Sequence, residues 1–229
     1  MKIAVLGTGM VGQALAGRLA ELGHDVAVGT RDIEATMARD QPDARGGLAF
    51  AAWMAGQDAV RLMTFADAAE HGEVIINATA GTASLQVLEA AGADRLAGSV
   101  LLDLANPLDF SQGFLALSVV NTDSLAEQIQ RAYPEARVVK ALNTVNCQVM
   151  VDPARVPGEH VVFVASDDET AKATVVGLLG EMGWPPERVI DLGGLSAARA
   201  TEMYLPLWVT LVQRLGTFDL NFALCVAPR

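Results

Sequence analysis

The stretch Met1-Lys2-Ile3-Ala4-Val5-Leu6-Gly7-Thr8-Gly9-Met10-Val11-Gly12 decides the fold, because it joins a short apolar run to a glycine turn. The run over 3–6 has the pattern of a strand buried on both faces of a parallel sheet. Beyond the turn, Val11, Leu15, Leu19 and Leu22 recur at helical spacing, and Gly23 stops the pattern where a helix would be capped. Val26-Ala27-Val28-Gly29 then reads as a second strand. Strand, glycine turn, helix and strand make a βαβ unit with a right-handed crossover. The turn itself, Gly7-Thr8-Gly9-Met10-Val11-Gly12, fits the pattern Gly-x-Gly-x-x-Gly in the place where it binds a dinucleotide. Gly7 permits the tight turn, Gly9 lets a pyrophosphate approach the backbone, and Gly12 lets the helix lie close to the strand, while the free amides of the first helical turn attract the anion.

Outward from this unit, helical and strand patterns alternate. Helices are expected over 47–55, 66–71, 85–91 and 124–132, and strands over 60–63, 74–77, 100–104 and 137–140. After Asn143 the pattern loosens around Pro153, Pro157 and Gly158. It resumes with a strand over 160–165, a helix over 169–182, a strand over 189–192 and one long apolar helix from Ala198. Strands separated by helices imply an α/β fold of Rossmann type, a doubly wound parallel sheet with helices on both faces. Residues 1–145 are read as the dinucleotide-binding domain and 146–229 as a small carboxy-terminal α/β part.

Composition narrows the function classes. The chain has 229 residues, 52% of them apolar and 19% charged, which suits a folded globular protein. Lys plus Arg number 16 against 27 Asp plus Glu, a net charge of −11, and such a surface repels phosphate backbones and anionic lipid. Neither nucleic acid nor a membrane is an expected partner. The most apolar segment, over 203–212, is interrupted by Pro206 and stopped by Gln213 and Arg214, whereas a spanning helix needs about 20 residues. The apolar start ends at Gly7 without the longer core and cleavage site of a signal peptide. Cys147 and Cys225 form neither a disulfide framework nor a metal cluster, so a reducing cytoplasm is the expected compartment and both read as small core residues. Tyr204, Leu205, Leu207, Trp208, Leu211 and Val212 cover more than one face of a helix, which suits burial within the monomer and also a homodimer interface.

The end of the second strand selects the cofactor. An NAD site places a carboxylate there to bind the ribose 2′-hydroxyl, but here the residues are Gly29-Thr30-Arg31. Arg31 can fork onto a 2′-phosphate while Thr30 donates its hydroxyl, which favours NADP. Asn77-Ala78-Thr79-Ala80 and Asn106-Pro107 each follow an expected strand, so both should border the ligand at the carboxyl ends of the sheet. A conventional catalytic group is not found. His24, His71 and His160 stand apart from any triad, no histidine or cysteine cluster has zinc spacing, and neither a Gly-x-Ser-x-Gly elbow nor a Tyr-x-x-x-Lys pair occurs. Hydride transfer between two redox cofactors fits such a chain, because it asks for alignment rather than proton transfer.

These residues resemble the coenzyme F420-dependent NADP oxidoreductases, the NADPH-dependent deazaflavin reductases. The resemblance rests on the first twelve residues, on Val28-Gly29-Thr30-Arg31-Asp32, on Val138-Val139-Lys140-Ala141-Leu142-Asn143-Thr144 and on Asp191-Leu192-Gly193-Gly194-Leu195-Ser196-Ala197-Ala198-Arg199. It implies NADP across the sheet, with a deazaflavin near the nicotinamide in a cleft formed with the carboxy-terminal part. Thr8, Met10 and Val11 would lie at the pyrophosphate, Thr30 and Arg31 at the 2′-phosphate and Ala80 near the nicotinamide ribose. Asn143, Thr144 and Leu195 would face the acceptor, or else cap a helix and fill the core. The same domain resembles the cytosolic ferric-reductase part of membrane metalloreductases that pass electrons from NADPH to a flavin, so a flavin acceptor stays open. A reductase of small carbonyl or imine substrates would need a large helical domain for which 146–229 is too short, and a non-catalytic NADP(H) sensor would need a partner module that is not evident.

Overall fold

Ile3 and Val5 of the first strand enter one hydrophobic core and Ala4 and Leu6 enter another, and all four are fully buried. That alternation, in a strand apolar on both sides, is what a sheet covered on both faces requires. The computed structural model describes residues 1–41, 48–111 and 113–227. Its strands are β1 (Lys2–Leu6), β2 (Asp25–Thr30), β3 (Val60–Thr64), β4 (Val74–Asn77), β5 (Val100–Asp103), β6 (Leu108–Asp109), β7 (Ala116–Leu117), β8 (Arg137–Ala141), β9 (Val162–Ala165) and β10 (Val189–Asp191). Its α-helices are α1 (Met10–Glu21), α2 (Ile33–Met37), α3 (Phe50–Met54), α4 (Phe65–His71), α5 (Ser84–Ala91), α6 (Ala93–Leu96), α7 (Leu125–Ala132), α8 (Cys147–Val151), α9 (Glu169–Glu181), α10 (Ala198–Met203) and α11 (Leu205–Leu215).

The main sheet runs β10-β9-β8-β5-β4-β1-β2-β3. β8, β5, β4, β1, β2 and β3 are parallel; β9 pairs with β8 antiparallel and β10 runs parallel to β9. One face is covered by α1, α3, α8 and α9 through Leu15, Leu19, Phe50, Val149 and Leu178; the other by α4, α5, α7 and α10 through Phe65, Leu88, Ile129 and Ala198. The doubly wound α/β architecture expected from the alternation is therefore present. β1 lies between β2 and β4, so chain order reverses there, and the crevice beyond the carboxyl ends of β1 and β4 is the sheet's topological switch point.

Several local expectations need correcting. The strand expected from His160 starts at Val162, and His160 instead makes an isolated bridge with Ala223 and donates from its ring Nε2 to the Pro153 carbonyl oxygen. The single long helix from Ala198 is two helices that meet at Tyr204, because Pro206 has no amide hydrogen to continue the ladder. Only Leu205 of α11 is buried; Leu207 and Leu215 are exposed. Cys147 is buried as expected, but Cys225 is exposed. The helix expected over 47–55 is observed over Phe50–Met54, with Gly47 outside the described residues. Among the described residues, no helix is long and apolar enough to cross a membrane.

Candidate functional site

The glycine turn meets the ends of two strands at the switch point. Gly7 has φ +126°, and a Cβ there would stand 2.6 Å from the Ala78 carbonyl oxygen, so the β1 and β4 loops touch through a position that admits only glycine. A Cβ on Gly12 would stand 2.0 Å from the Gly7 carbonyl oxygen, which fixes the close approach of α1 to β1. Gly9 differs from both, since a Cβ there would meet nothing within 4 Å. It is the N-cap of α1 and offers no side-chain cap, leaving the first amides of a twelve-residue helix turned toward open space. Gln13 steadies the turn by donating to the Thr8 carbonyl at 3.1 Å.

Three cavities open on successive residues of this turn. Thr8 and Gly9 share one of about 490 Å³ with Arg39, Leu48 and Phe50. Met10 borders one of about 400 Å³ with Asn146, Cys147, Trp208, Phe218 and Asp219. Val11 borders a third, also about 400 Å³, with Ala78, Ala80, Gly81, Asn106 and Leu108. The turn thus contributes residues to three separate openings.

Arg31 is exposed immediately after β2, and Asp32 spends its carboxylate capping α2 through the Ala35 amide at 2.9 Å. Arg31 forms no ion pair with Asp32 among the described residues. Thr30 is buried and its hydroxyl shares a 2.6 Å hydrogen bond with that of Thr36. Arg39, which no motif singled out, donates to the Thr8 hydroxyl at 2.6 Å and brings a second guanidinium to the turn. Its position on the segment after α2 has no sequence signature beyond a cation near the end of a βαβ unit.

Deeper in, the loops after β4, β5 and β8 are tied together. Asn77 is fully buried and donates to Ser84 Oγ at 3.0 Å and Asp103 Oδ1 at 2.8 Å, while its own oxygen accepts from the Thr79 hydroxyl at 2.7 Å. Asn106 and Asn143 exchange two hydrogen bonds: Asn106 Nδ2 donates to the Asn143 carbonyl, Asn143 Nδ2 donates to Asn106 Oδ1, each at 2.9 Å. The Pro107 carbonyl accepts from the Ser118 amide at 2.8 Å. Lys140 lies beneath these loops with Asp103 and Glu202, and all three are at most 1% exposed. Burial alone would lower the pKa of Lys140, but the two carboxylates outweigh it and hold the ammonium above the ordinary lysine range. Burial pushes the Glu202 carboxyl above its usual range, against the pull of Lys140.

Of the expected site residues, Gly7 to Gly12, Ala78 to Ala80, Asn106, Pro107 and Asn143 come together along this edge. Thr144 is buried beside them with a hydroxyl that has no hydrogen-bond partner among the described residues. The helix that follows is capped by Asn146, not by Asn143 or Thr144. Leu195 is 2% exposed in the core beneath α7 and α10, its amide donating to Asp167, and it lines none of the three cavities.

The chain matches known proteins along its length. Residues 2–107 fit the family model described as NADP oxidoreductase, coenzyme F420-dependent. An F420-dependent NADP reductase of Methanothermobacter marburgensis is 32% identical over 220 residues, covering 92% of each chain. A crystal structure of a protein from Arthrobacter sp. FB24, described as an F420-dependent NADP-reductase, superposes with a TM-score of 0.93 at 52% identity, covering 99% of this chain and 100% of that one. Metalloreductase STEAP3 of Rattus norvegicus is 28% identical over 227 residues, which is 97% of this chain but 41% of that longer protein.

Proposed function

This chain belongs to the coenzyme F420-dependent NADP oxidoreductase family, and from that premise we propose that it transfers a hydride between NADP(H) and a deazaflavin of the F420 type. The observation that carries the NADP half is the uncapped amino terminus of α1 at the switch point, with Gly9 facing open space, Arg39 bonded to Thr8, and Arg31 exposed just after β2. Those residues fit a pyrophosphate and a 2′-phosphate: the amides after Gly9 answer the first and two guanidinium groups answer the second. Thr8, Met10 and Val11 would hold the pyrophosphate, and Thr30 and Arg31, joined by Arg39, the 2′-phosphate. Ala80, Asn106 and Asn143 would border the nicotinamide end, with Thr144 buried behind them.

When bound, NADPH supplies the hydride and the deazaflavin ring accepts it, so the protein's task is alignment and exclusion of water. The cavity between Met10, Asn146 and Trp208 has the size and the aromatic wall to take a flat ring, and it adjoins the turn that binds the donor. In this reading 1–145 binds NADP and 146–229 completes the acceptor cleft. The exposed apolar side chains of Met203 on α10 and of Leu207 and Leu215 on α11 support a homodimer through these two helices, and the composition supports a cytoplasmic enzyme.

The test is NADPH oxidation by the purified protein with deazaflavin, FMN and FAD offered separately and NADH as the control donor. NADPH-specific reduction of deazaflavin is the expected result. Turnover with FMN or FAD alone would move the acceptor to flavin, and tight NADPH binding without turnover would leave a sensor.

A further inference from the structure

Lys140 stands out among the groups that the hydride-transfer reading leaves unused. It is the last residue but one of β8, is 1% exposed, and spends all three ammonium donors inside the protein. One goes to Asp103 Oδ2 at 2.8 Å, one to Glu202 Oε1 at 2.8 Å, and one to the carbonyl oxygen of Ala105. A well-packed apolar side chain would fill the same space without the cost of burying a charge, so bulk alone does not account for an ammonium here. Its acceptors say what it does. Ala105 belongs to the loop after β5, not to a neighbouring strand, and Asp103 holds the same loop again through the Ala105 amide at 3.2 Å. Asp103 also fixes Asn77, which fixes Thr79 in the loop after β4. Asn106, next to the clamped Ala105, carries the paired hydrogen bonds to Asn143 after β8. The loops also touch directly: a Cβ on Gly81 would stand 2.0 Å from the Asn106 carbonyl oxygen.

We infer that Lys140 is a positioning residue: through Ala105 and Asp103 its ammonium sets the three loops that border the nicotinamide, and so the angle at which the donor ring meets the acceptor. The inference rests on the assignment of the β4, β5 and β8 loops to the nicotinamide end. Glu202 joins the clamp to the carboxy-terminal helices, since its two oxygens also accept the Leu125 and Ala126 amides at the start of α7. Neither end of the clamp reaches Thr8, Arg31 or Arg39, so the adenine end of the cofactor lies outside its influence.

The test uses K140M, which keeps length and removes charge, with NADPH as the probe. Three quantities are read on the full-length protein: the NADPH dissociation constant, the fluorescence anisotropy of bound nicotinamide, and the single-turnover rate of hydride transfer to deazaflavin. The dissociation constant should change by less than about threefold, while anisotropy falls and the transfer rate drops about tenfold to a hundredfold. A purely structural role would lower thermal stability and leave the anisotropy and rate of the folded protein alone, and that result overturns the inference. So does a loss of NADPH affinity as large as the loss of rate. If K140M does not fold, D103N decides by the same criteria, because it leaves Lys140 paired with Glu202 and the Ala105 carbonyl. Absence of turnover in the wild-type protein would refute the acceptor assignment alone, and the anisotropy of bound NADPH would still decide the role of Lys140.

Discussion

The two ends of the site are built on opposite plans. The glycine turn and the tip of β2 are local in sequence, open, and satisfied only in part: Gly9 faces space, α1 has no side-chain cap, and Arg31 is exposed. The edge formed by β4, β5 and β8 is buried and internally paired, with Asn77, Asp103, Lys140 and Glu202 at most 1% exposed. Unsatisfied donors suit a ligand that brings its own charge, because phosphates complete them on arrival. A neutral ring has no charge to offer, and its place must be fixed beforehand by the protein. Binding and alignment are thus divided between two regions, and each can be attacked without the other.

The largest effect is expected within the open region, from the glycine that serves packing rather than binding. Gly12→Ala puts a Cβ 2.0 Å from the Gly7 carbonyl oxygen, and either α1 or the turn must move, at a cost of about 3–5 kcal/mol in unfolding free energy. Gly9→Ala meets no atom within 4 Å and should leave the melting temperature unchanged while weakening NADPH, since its methyl occupies the approach to the amides. Titration and thermal melts of the pair separate the two roles; equal melting temperatures would break the distinction. Next comes the buried region. Lys140→Met leaves Asp103 and Glu202 without their cation and should cost about 3–5 kcal/mol by urea unfolding, the penalty of an uncompensated buried charge.

The same division explains what could be read beforehand. The turn, the βαβ unit and the alternating layers follow from spacings of a few residues, and the structure has them where the periodicities lie. The clamp does not, because Asp103 and Lys140 are 37 residues apart and meet only once β5 and β8 are neighbours. A signal existed nonetheless: Asp103 is the last residue and Lys140 the last but one of an apolar strand, and a buried charge needs a partner. Arg39 had no such mark. α11 was ambiguous in a different way, since apolar side chains on several faces suit both the monomer core and an interface between copies; only Leu205 of the helix is buried.

A smaller effect sharpens the open side. Arg31→Ala removes a guanidinium that has no structural task among the described residues, so stability should hold while NADPH binding weakens by about tenfold or more. NADH, which lacks the 2′-phosphate, should bind about equally well before and after. Calorimetric titration with both cofactors checks this, and equal losses would remove Arg31 from the specificity argument. A remaining preference for NADPH would be the share of Arg39, whose hold on Thr8 already places it at the turn.

The smallest effect lies at the rim of the buried region, where charge is present but water is too. Arg131 donates to both oxygens of Asp123 ahead of α7, at 3.0 and 2.7 Å, and holds that carboxyl down to about 2 from 3.8. A lowered carboxyl pKa stabilises the folded state above the unfolded value of 3.8, and the contribution disappears as the pH falls through about 2. Asp123→Asn should therefore lower the melting temperature by only about 1–2 °C at pH 7 and make no difference below about pH 2. Lys140 sits one layer further in, past Glu202 and the amides that open α7, and its removal is expected to cost far more than this. The contrast is one of solvent: both ammonium and guanidinium groups face carboxylates at similar distances, but only at the rim can water take the place of a lost partner. A melting-temperature loss for Asp123→Asn as large as that for Lys140→Met would show that burial does not set the scale, and the division between an open and a preset end would lose its physical basis.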